Sequence, residues 1–259
     1  MSDNWFSTGF GAAKVEEERR AAATMPRRFW MPKGGKKDIV FVDDDAFTIY
    51  EHQYQINGSW KNWMTCARGV YDDAFCCAKL TDRTRRWVGY FTIVDLSEWK
   101  DQKGNVRKNE IGLFAAPLNV LKILESRKAD SGGTLVGALI TVQRVGDTGA
   151  AVGNDFVVKK VGDLDKLAPE VTFRGKRLKD LIQTANANPD EAKQHVKRFQ
   201  VEAGADGQFK TELRPFRYME LLKPKTQKEM KEILASFRHE DAGKGEEAGT
   251  EGGEDNVPF

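Results

Sequence analysis

The sequence predicts a mostly β chain with peripheral helices: a small closed barrel with extra hairpins, followed by a helical C-terminal part. Three observations carry that expectation. Roughly seven runs rich in Val, Ile, Phe, Tyr and Trp alternate at the period of a strand between residues 28 and 161. Turn signals separate them, the strongest being Asn57-Gly58. Few helical patterns intervene, which fits a barrel better than a β-α-β sheet.

The elements follow in order. Residues 1–25 form an extension whose Ala12–Thr24 stretch is rich in helix formers and ends at Met25-Pro26. Arg28–Met31 and Asp38–Val42 are strands flanking a Pro-Lys-Gly-Gly-Lys-Lys loop, and Asp43-Asp44-Asp45 is a turn. Phe47–Gln55 and Ser59–Ala67 form a hairpin; Asp72–Asp82 is irregular or a short helix. Arg86–Leu96 alternates on both faces, as a barrel strand should, and Lys100–Lys108 is a polar, basic loop before the short strand Ile111–Phe114. Pro117–Arg127 reads as a helix, with Leu118, Leu121 and Leu124 on one face and basic residues at its end. Leu135–Val145 and Asp155–Val161 complete the strands, joined by the glycine-rich loop Gly146–Gly153.

The remainder is helical. It carries a short helix marked by Leu178, Leu181 and Ile182. A second helix starts at Asn188-Pro189-Asp190-Glu191, with Ala192, His195, Val196 and Phe199 as its apolar stripe. Glu212–Leu222 reads as an edge strand because of Pro215. Thr226 and Glu229 have the spacing of a capping box, and Met230, Ile233, Leu234 and Phe237 line the helix that follows. The expected domain spans residues 26–238.

Composition narrows the function. The chain has 259 residues, no apolar run approaching the ~20 needed for a membrane helix, and three cysteines, too few for a disulfide framework. Its net charge of +2 averages unlike parts. Residues 239–259 hold seven acids and one lysine, a net −6; the other 238 residues carry 40 Lys and Arg against 32 Asp and Glu, a net +8. A basic body with an acidic tail implies a polyanionic partner.

The basic residues sit among aromatic ones. Tyr50, His52 and Tyr54 fall at alternate positions of one strand, Trp60, Lys61 and Trp63 on the next. Arg28, Trp30, Lys33, Lys36 and Lys37 precede them; Arg68, Arg85 and Arg86 follow. Rings offer a stacking surface to any base and cations meet the phosphates, which is what unpaired nucleic acid requires. Trp30, Tyr50, His52, Tyr54, Trp60 and Trp63 are the candidate ring contacts, and Arg28, Lys33, Lys36, Lys37, Lys61, Arg68, Arg85 and Arg86 the candidate phosphate contacts. Phe41, Phe47, Phe91 and Ile93 are better suited to the core.

The tail ends Glu254-Asp255-Asn256-Val257-Pro258-Phe259, an aromatic ring beside the terminal carboxylate. That ending resembles the Asp-Asp-Ile-Pro-Phe terminus of bacterial single-stranded DNA-binding proteins. An acidic tail with a final Phe is also shared by those of tailed phages, and RRFWMPKGGKKDIVFVDD resembles the opening of the fold in one such phage group. The matching segments cover about a tenth of the chain, and against that family residues from about 170 to 213 stand as a helical insertion. The resemblance implies a five-stranded oligonucleotide/oligosaccharide-binding barrel that coats single strands in replication, recombination and repair, in the cytoplasm of an infected bacterium. It further implies that Glu254, Asp255, Val257, Pro258 and Phe259 recruit a polymerase, helicase or nuclease; self-association stays open. An RNA-binding or strand-annealing protein on the same fold is one alternative.

A metal-dependent nucleic-acid enzyme built on Asp43-Asp44-Asp45 is the other, but no general base or second acidic cluster accompanies that run. His52, Cys66, Cys76 and Cys77 could hold zinc or, for the cysteines, be small buried thiols. Adjacent cysteines are poor joint tetrahedral ligands and no Cys-x-x-Cys is present, so no cofactor is expected.

Overall fold

The computed structural model describes residues 26–56, 59–70, 85–100, 104–146, 150–173, 175–187 and 207–232, without the side chains of 53–62. The expected N-terminal helix, the segment 72–82, the helix from Asn188, Cys76, Cys77 and the tail lie outside them. Among the described residues, strand outnumbers helix, 37% to 25%. The described residues fall into two compact units: residues 26–49 with 87–221, and residues 50–70 with 85–86 and 222–232.

The larger unit is built on a mixed sheet. Its strands are β1 (Arg27–Arg28), β2 (Lys36–Phe41), β5 (Arg86–Asp95), β8 (Glu110–Pro117), β9 (Ala138–Gln143), β10 (Asp155–Val161), β11 (Thr172–Phe173) and β12 (Lys176–Arg177). The order is β10-β9-β2-β5-β8-β11-β12, with β1 parallel to β8. Two further strands, β3 (Phe47–Ile56) and β4 (Ser59–Thr65), pair as a hairpin, and β6 (Trp99–Lys100) and β7 (Val106–Arg107) form a separate two-stranded sheet.

The sheet does not close into a barrel. The run of strands with few helices between them suggests closure, and β5 suits it, being buried on both faces from Val88 to Asp95. Two different layers cover those faces. Phe91 and Ile93 enter the main core with Phe29, Phe41, Phe114, Ile140 and Phe156. On the opposite face, Thr92 accepts a hydrogen bond from the Phe216 amide (2.8 Å) and bonds to the Tyr218 hydroxyl (2.7 Å). The segment 212–222 is therefore a cover for β5, not an edge strand; it ends in the helical turn Tyr218–Leu221. Leu213 and Phe216 are buried there, which removes their apolar surface from water.

Phe114 is the hub of the core. It packs against Phe29 (5.6 Å between centroids), Phe41 (5.6 Å) and Phe156 (6.2 Å), and Phe41 meets Phe91 edge-on at 5.3 Å. The pairs of Phe114 with Phe41 and Phe156, and of Phe41 with Phe91, are edge-to-face, an arrangement that adds about 0.5–1.5 kcal/mol each beyond the area buried. Gly112 makes room for β1: a Cβ there would lie 2.6 Å from the Arg27 carbonyl oxygen.

The helix α1 (Leu118–Asp130) starts after Pro117 and ends with Arg127 and Lys128 in its last turn, as the sequence implies. Its buried face is Val120 and Leu124, whereas Leu118 is 53% exposed. Residues 164–187 form α2 (Leu164–Leu167), a 3-10 turn (Ala168–Glu170), β11, β12 and α3 (Leu178–Ala187). They are joined to the sheet: Thr172 pairs with Glu110, and its hydroxyl lies 2.9 Å from the Glu110 carboxylate.

In the smaller unit, β3 pairs with β4 from Ile56↔Ser59 to Glu51↔Thr65, so the connection is the Asn57-Gly58 dipeptide the sequence marks as a hairpin turn. The register shifts between Gln53 and Gln55, whose partners are Trp63 and Trp60. The strands thus contribute unequal numbers of residues at that point, as in a β-bulge. The capping box forms: Thr226 Oγ1 and N both donate to Glu229 Oε2 (2.8 and 2.7 Å), and residues 227–232 are helical.

Candidate nucleic-acid interface

The predicted contacts divide between the two units. On the hairpin, two arginines sit on two aromatic rings. The Arg85 guanidinium lies 4.1 Å from the centre of the Tyr50 ring, and that of Arg86 lies 3.6 Å from the Trp63 ring. Tyr50 is 38% exposed and Arg85 is exposed. Guanidinium and ring together make a flat, cationic surface of the kind on which a base stacks.

Arg86 has a second duty. Its Nη2 and Nε lie 2.6 and 2.7 Å from Glu51 Oε1, and the Glu51 side chain is 1% exposed. A buried carboxylate needs a cation with hydrogen bonds. Arg86 therefore spends its charge on Glu51 and offers Trp63 a stacked plane more than it offers a phosphate a counterion.

His52 shares a strand with Tyr50 but is fully buried, and so presents no face to a base. Arg68 is exposed in the turn after β4. Tyr54, Trp60 and Lys61 occupy strand positions in this hairpin, and their side chains lie outside the described set.

In the larger unit, Lys33 and Lys36 are exposed around the turn closed by the Gly35 amide on the Pro32 carbonyl (2.9 Å). The turn is held to the sheet by Gly34 N donating to Arg144 O and Arg144 N to Gly35 O, each 3.0 Å. Gly34 has φ +70, which its lack of a Cβ allows. Arg28 lies 5.2 Å from the buried Tyr90 ring, and Trp30 is half-buried.

Lys37 is engaged differently from the expectation. Its Nζ lies 3.1 Å from the buried Asp95 carboxylate and 5.3 Å from the Phe29 ring. Burial lowers its pKa, and Asp95 partly restores it. Arg27 approaches the same carboxylate at 3.5 Å while stacking on Trp99 at 3.9 Å, and burial lowers its pKa too. The cleft beside them, lined by Arg27, Phe29, Asp95 and Glu110, has about 10 Å³ of room, enough for one water. These cations balance buried acids. No local pattern ties Lys37 to Asp95 or Arg86 to Glu51, because the partners meet only in the fold.

The aspartate run has structural work. Asp43 accepts hydrogen bonds from the Thr92 amide and the Tyr218 hydroxyl. Its pKa is pushed up to about 6 by burial, against those hydrogen bonds. Burial, with the Asp43 charge beside it, raises that of Tyr218. Asp44 caps the loop before β9, accepting from Thr134 Oγ1 and Leu135 N at 2.8 Å each, and pairs with Lys128 at 2.7 Å. Hydrogen bonding from Lys128 and Leu135 holds its pKa below the usual carboxylate range. Asp45 joins Lys128 at 3.1 Å.

Cys66 is buried. Among the described residues, no group of three or more His, Cys, Asp or Glu is placed to hold a metal, and no helix is long and apolar enough to cross a membrane. Neither the models of known protein families nor the curated proteins contain a match to this chain.

Proposed function

We propose that the protein binds single-stranded DNA without sequence preference, as a phage-type single-stranded DNA-binding protein acting in replication, recombination and repair. The observation that carries the reading is the seating of Arg85 on the exposed ring of Tyr50, beside Arg86 on Trp63. Stacked planes of this kind accept any base. Lys33, Lys36 and Arg68 add exposed positive charge, and the body's net +8 supplies attraction to phosphate.

The acidic terminus ending in Val257-Pro258-Phe259 supports a recruiting tail: the ring fills a partner's pocket while acids steer. With the tail goes the host cytoplasm as the place of action. A five-stranded oligonucleotide/oligosaccharide-binding barrel is the frame that the resemblance implies; stacking on the hairpin does not depend on closure of the sheet.

Titration of tryptophan fluorescence with oligothymidylate, at low and high salt, tests the reading. It predicts quenching on binding and affinity that falls with salt, with a log–log slope of about −0.7 per neutralised phosphate. Competition by oligouridylate of equal length separates DNA from RNA preference. No change in fluorescence or anisotropy at low salt refutes the proposal.

A further inference from the structure

Outside the hairpin, the larger unit gathers cations from two distant stretches. The β6–β7 sheet pairs Trp99 with Arg107 and Lys100 with Val106, and β11–β12 pairs Thr172 with Arg177 and Phe173 with Lys176. The two stretches are stitched together. Thr172 N donates to Asn109 O (2.8 Å), Thr172 Oγ1 donates to Lys108 O (2.7 Å), and Asn109 Nδ2 donates to Glu170 O (3.4 Å).

Arg107 lies directly on the backbone of Gly175: a Cβ there would sit 1.5 Å from its Nη1. Gly175 has φ +77, so both space and backbone conformation call for glycine at that seat. Lys100, Lys108, Lys176, Arg177 and Lys179 are all exposed. Arg177 is paired with Asp180 (2.9 Å), whereas Lys100, Lys108, Lys176 and Lys179 form no ion pair among the described residues. Against these six cations stand, among the described residues of these stretches, the exposed Glu98 and Glu170, the paired Asp180, and the buried Glu110, which accepts from Thr172 and Gly175. Like charges brought together across about 70 residues of chain repel, and the fold holds them there.

We infer that this end of the sheet is a second phosphate-binding surface, which holds the backbone of bound single-stranded nucleic acid without stacking its bases. The inference rests on the single-strand reading above and adds to it a second, separate contact on the larger unit. The surface differs from the hairpin in chemistry. Its rings are committed elsewhere: Trp99 lies under Arg27 and Phe173 is buried. Lysines without stacking partners contribute affinity through counterion release alone.

The test uses the full chain and a Lys100→Gln, Lys108→Gln, Lys176→Gln, Lys179→Gln variant, with fluorescein-labelled oligothymidylates of about 8 and about 30 nucleotides. For the longer oligomer, the log–log salt slope should be shallower by up to about 3, with several-fold weaker binding at low salt. The tryptophan quench and the affinity for the shorter oligomer should stay as in the unaltered protein. Replacing the same four lysines by arginine should restore the slope, which a merely misfolded variant would not do. Unchanged slope and affinity for the longer oligomer would overturn the inference. So would tighter binding by the Gln variant, which would assign the surface to this chain's acidic tail. If the unaltered protein binds neither oligomer, the single-strand reading itself fails and the surface loses its ligand.

Discussion

Replacing Asp43 by asparagine should change how stability depends on pH, by an amount that follows from its surroundings. Asp43 is buried under Tyr218 and Thr92, and its pKa stands at about 6 instead of 3.8. The folded chain therefore holds the proton more tightly than the unfolded chain does. Its contribution to stability is complete below about pH 4 and is lost as pH rises through 6. A shift of about two units corresponds to about 3 kcal/mol of stability given up by pH 7.5. In the Asp43→Asn variant, the side-chain amide oxygen accepts from the same Thr92 amide and Tyr218 hydroxyl but does not titrate. Urea unfolding of both proteins at pH 4 and pH 7.5 measures the effect as a difference, which removes every other titrating group. The wild type should lose about 2.4 kcal/mol relative to the variant between those pH values, because about half of the unfolded chain's Asp43 is already ionised at pH 4. Tyr218→Phe removes a hydrogen bond that favours the ionised form, so the midpoint should move above 6. An equal wild-type-minus-variant difference at both pH values would refute the reasoning.

Other perturbations separate binding from folding. Tyr50→Ala should weaken oligothymidylate binding by about 1–3 kcal/mol, measured by anisotropy, with little change in urea midpoint. Arg86→Ala should destabilise by about 1–3 kcal/mol, because it strands the buried Glu51 while its own half-exposed position softens the loss; Arg85→Ala should cost less than about 1 kcal/mol. Phe114→Ala opens a cavity at the meeting point of Phe29, Phe41 and Phe156 and should cost about 3–5 kcal/mol by urea denaturation. Deleting residues 239–259 removes a net −6 and should tighten DNA binding at low salt more than at high salt; equal affinities at low salt would argue against a competing tail.

Much of the fold is legible where local chemistry dictates it. Asn57-Gly58 sets the hairpin, Asp155–Val161 is a strand with the expected bounds, and Thr226 with Glu229 makes the expected cap. Phe41, Phe91 and Ile93 are recognisable as core; Phe47, only partly buried, stacks on Tyr218 at 5.2 Å. Closure is not legible, because a strand buried on both faces reads the same whether a barrel or a C-terminal segment covers the second face. Leu118 departs from the expected apolar face because, two residues before Val120, it lies on nearly the opposite side of the helix from the buried pair Val120 and Leu124.

The site is legible in kind more than in detail. Alternation puts Tyr50 and His52 together, yet one is exposed and the other buried, since burial depends on what the rest of the fold places over a strand. Lys37 and Arg86 read as phosphate contacts until the fold supplies Asp95 and Glu51. The Lys100–Lys108 and Lys176–Lys179 stretches carry no aromatic signal of their own beyond Trp99, and only the pairing at Thr172 joins them.

The most direct measurement is photo-cross-linking of an iodouridine-substituted oligothymidylate to the full chain, with the adducts mapped by mass spectrometry of peptides. The account predicts adducts on the hairpin at Tyr50 or Trp63, lost when unlabelled oligothymidylate competes. Efficient cross-linking confined to residues outside the hairpin, with none between Phe47 and Thr65, would contradict it.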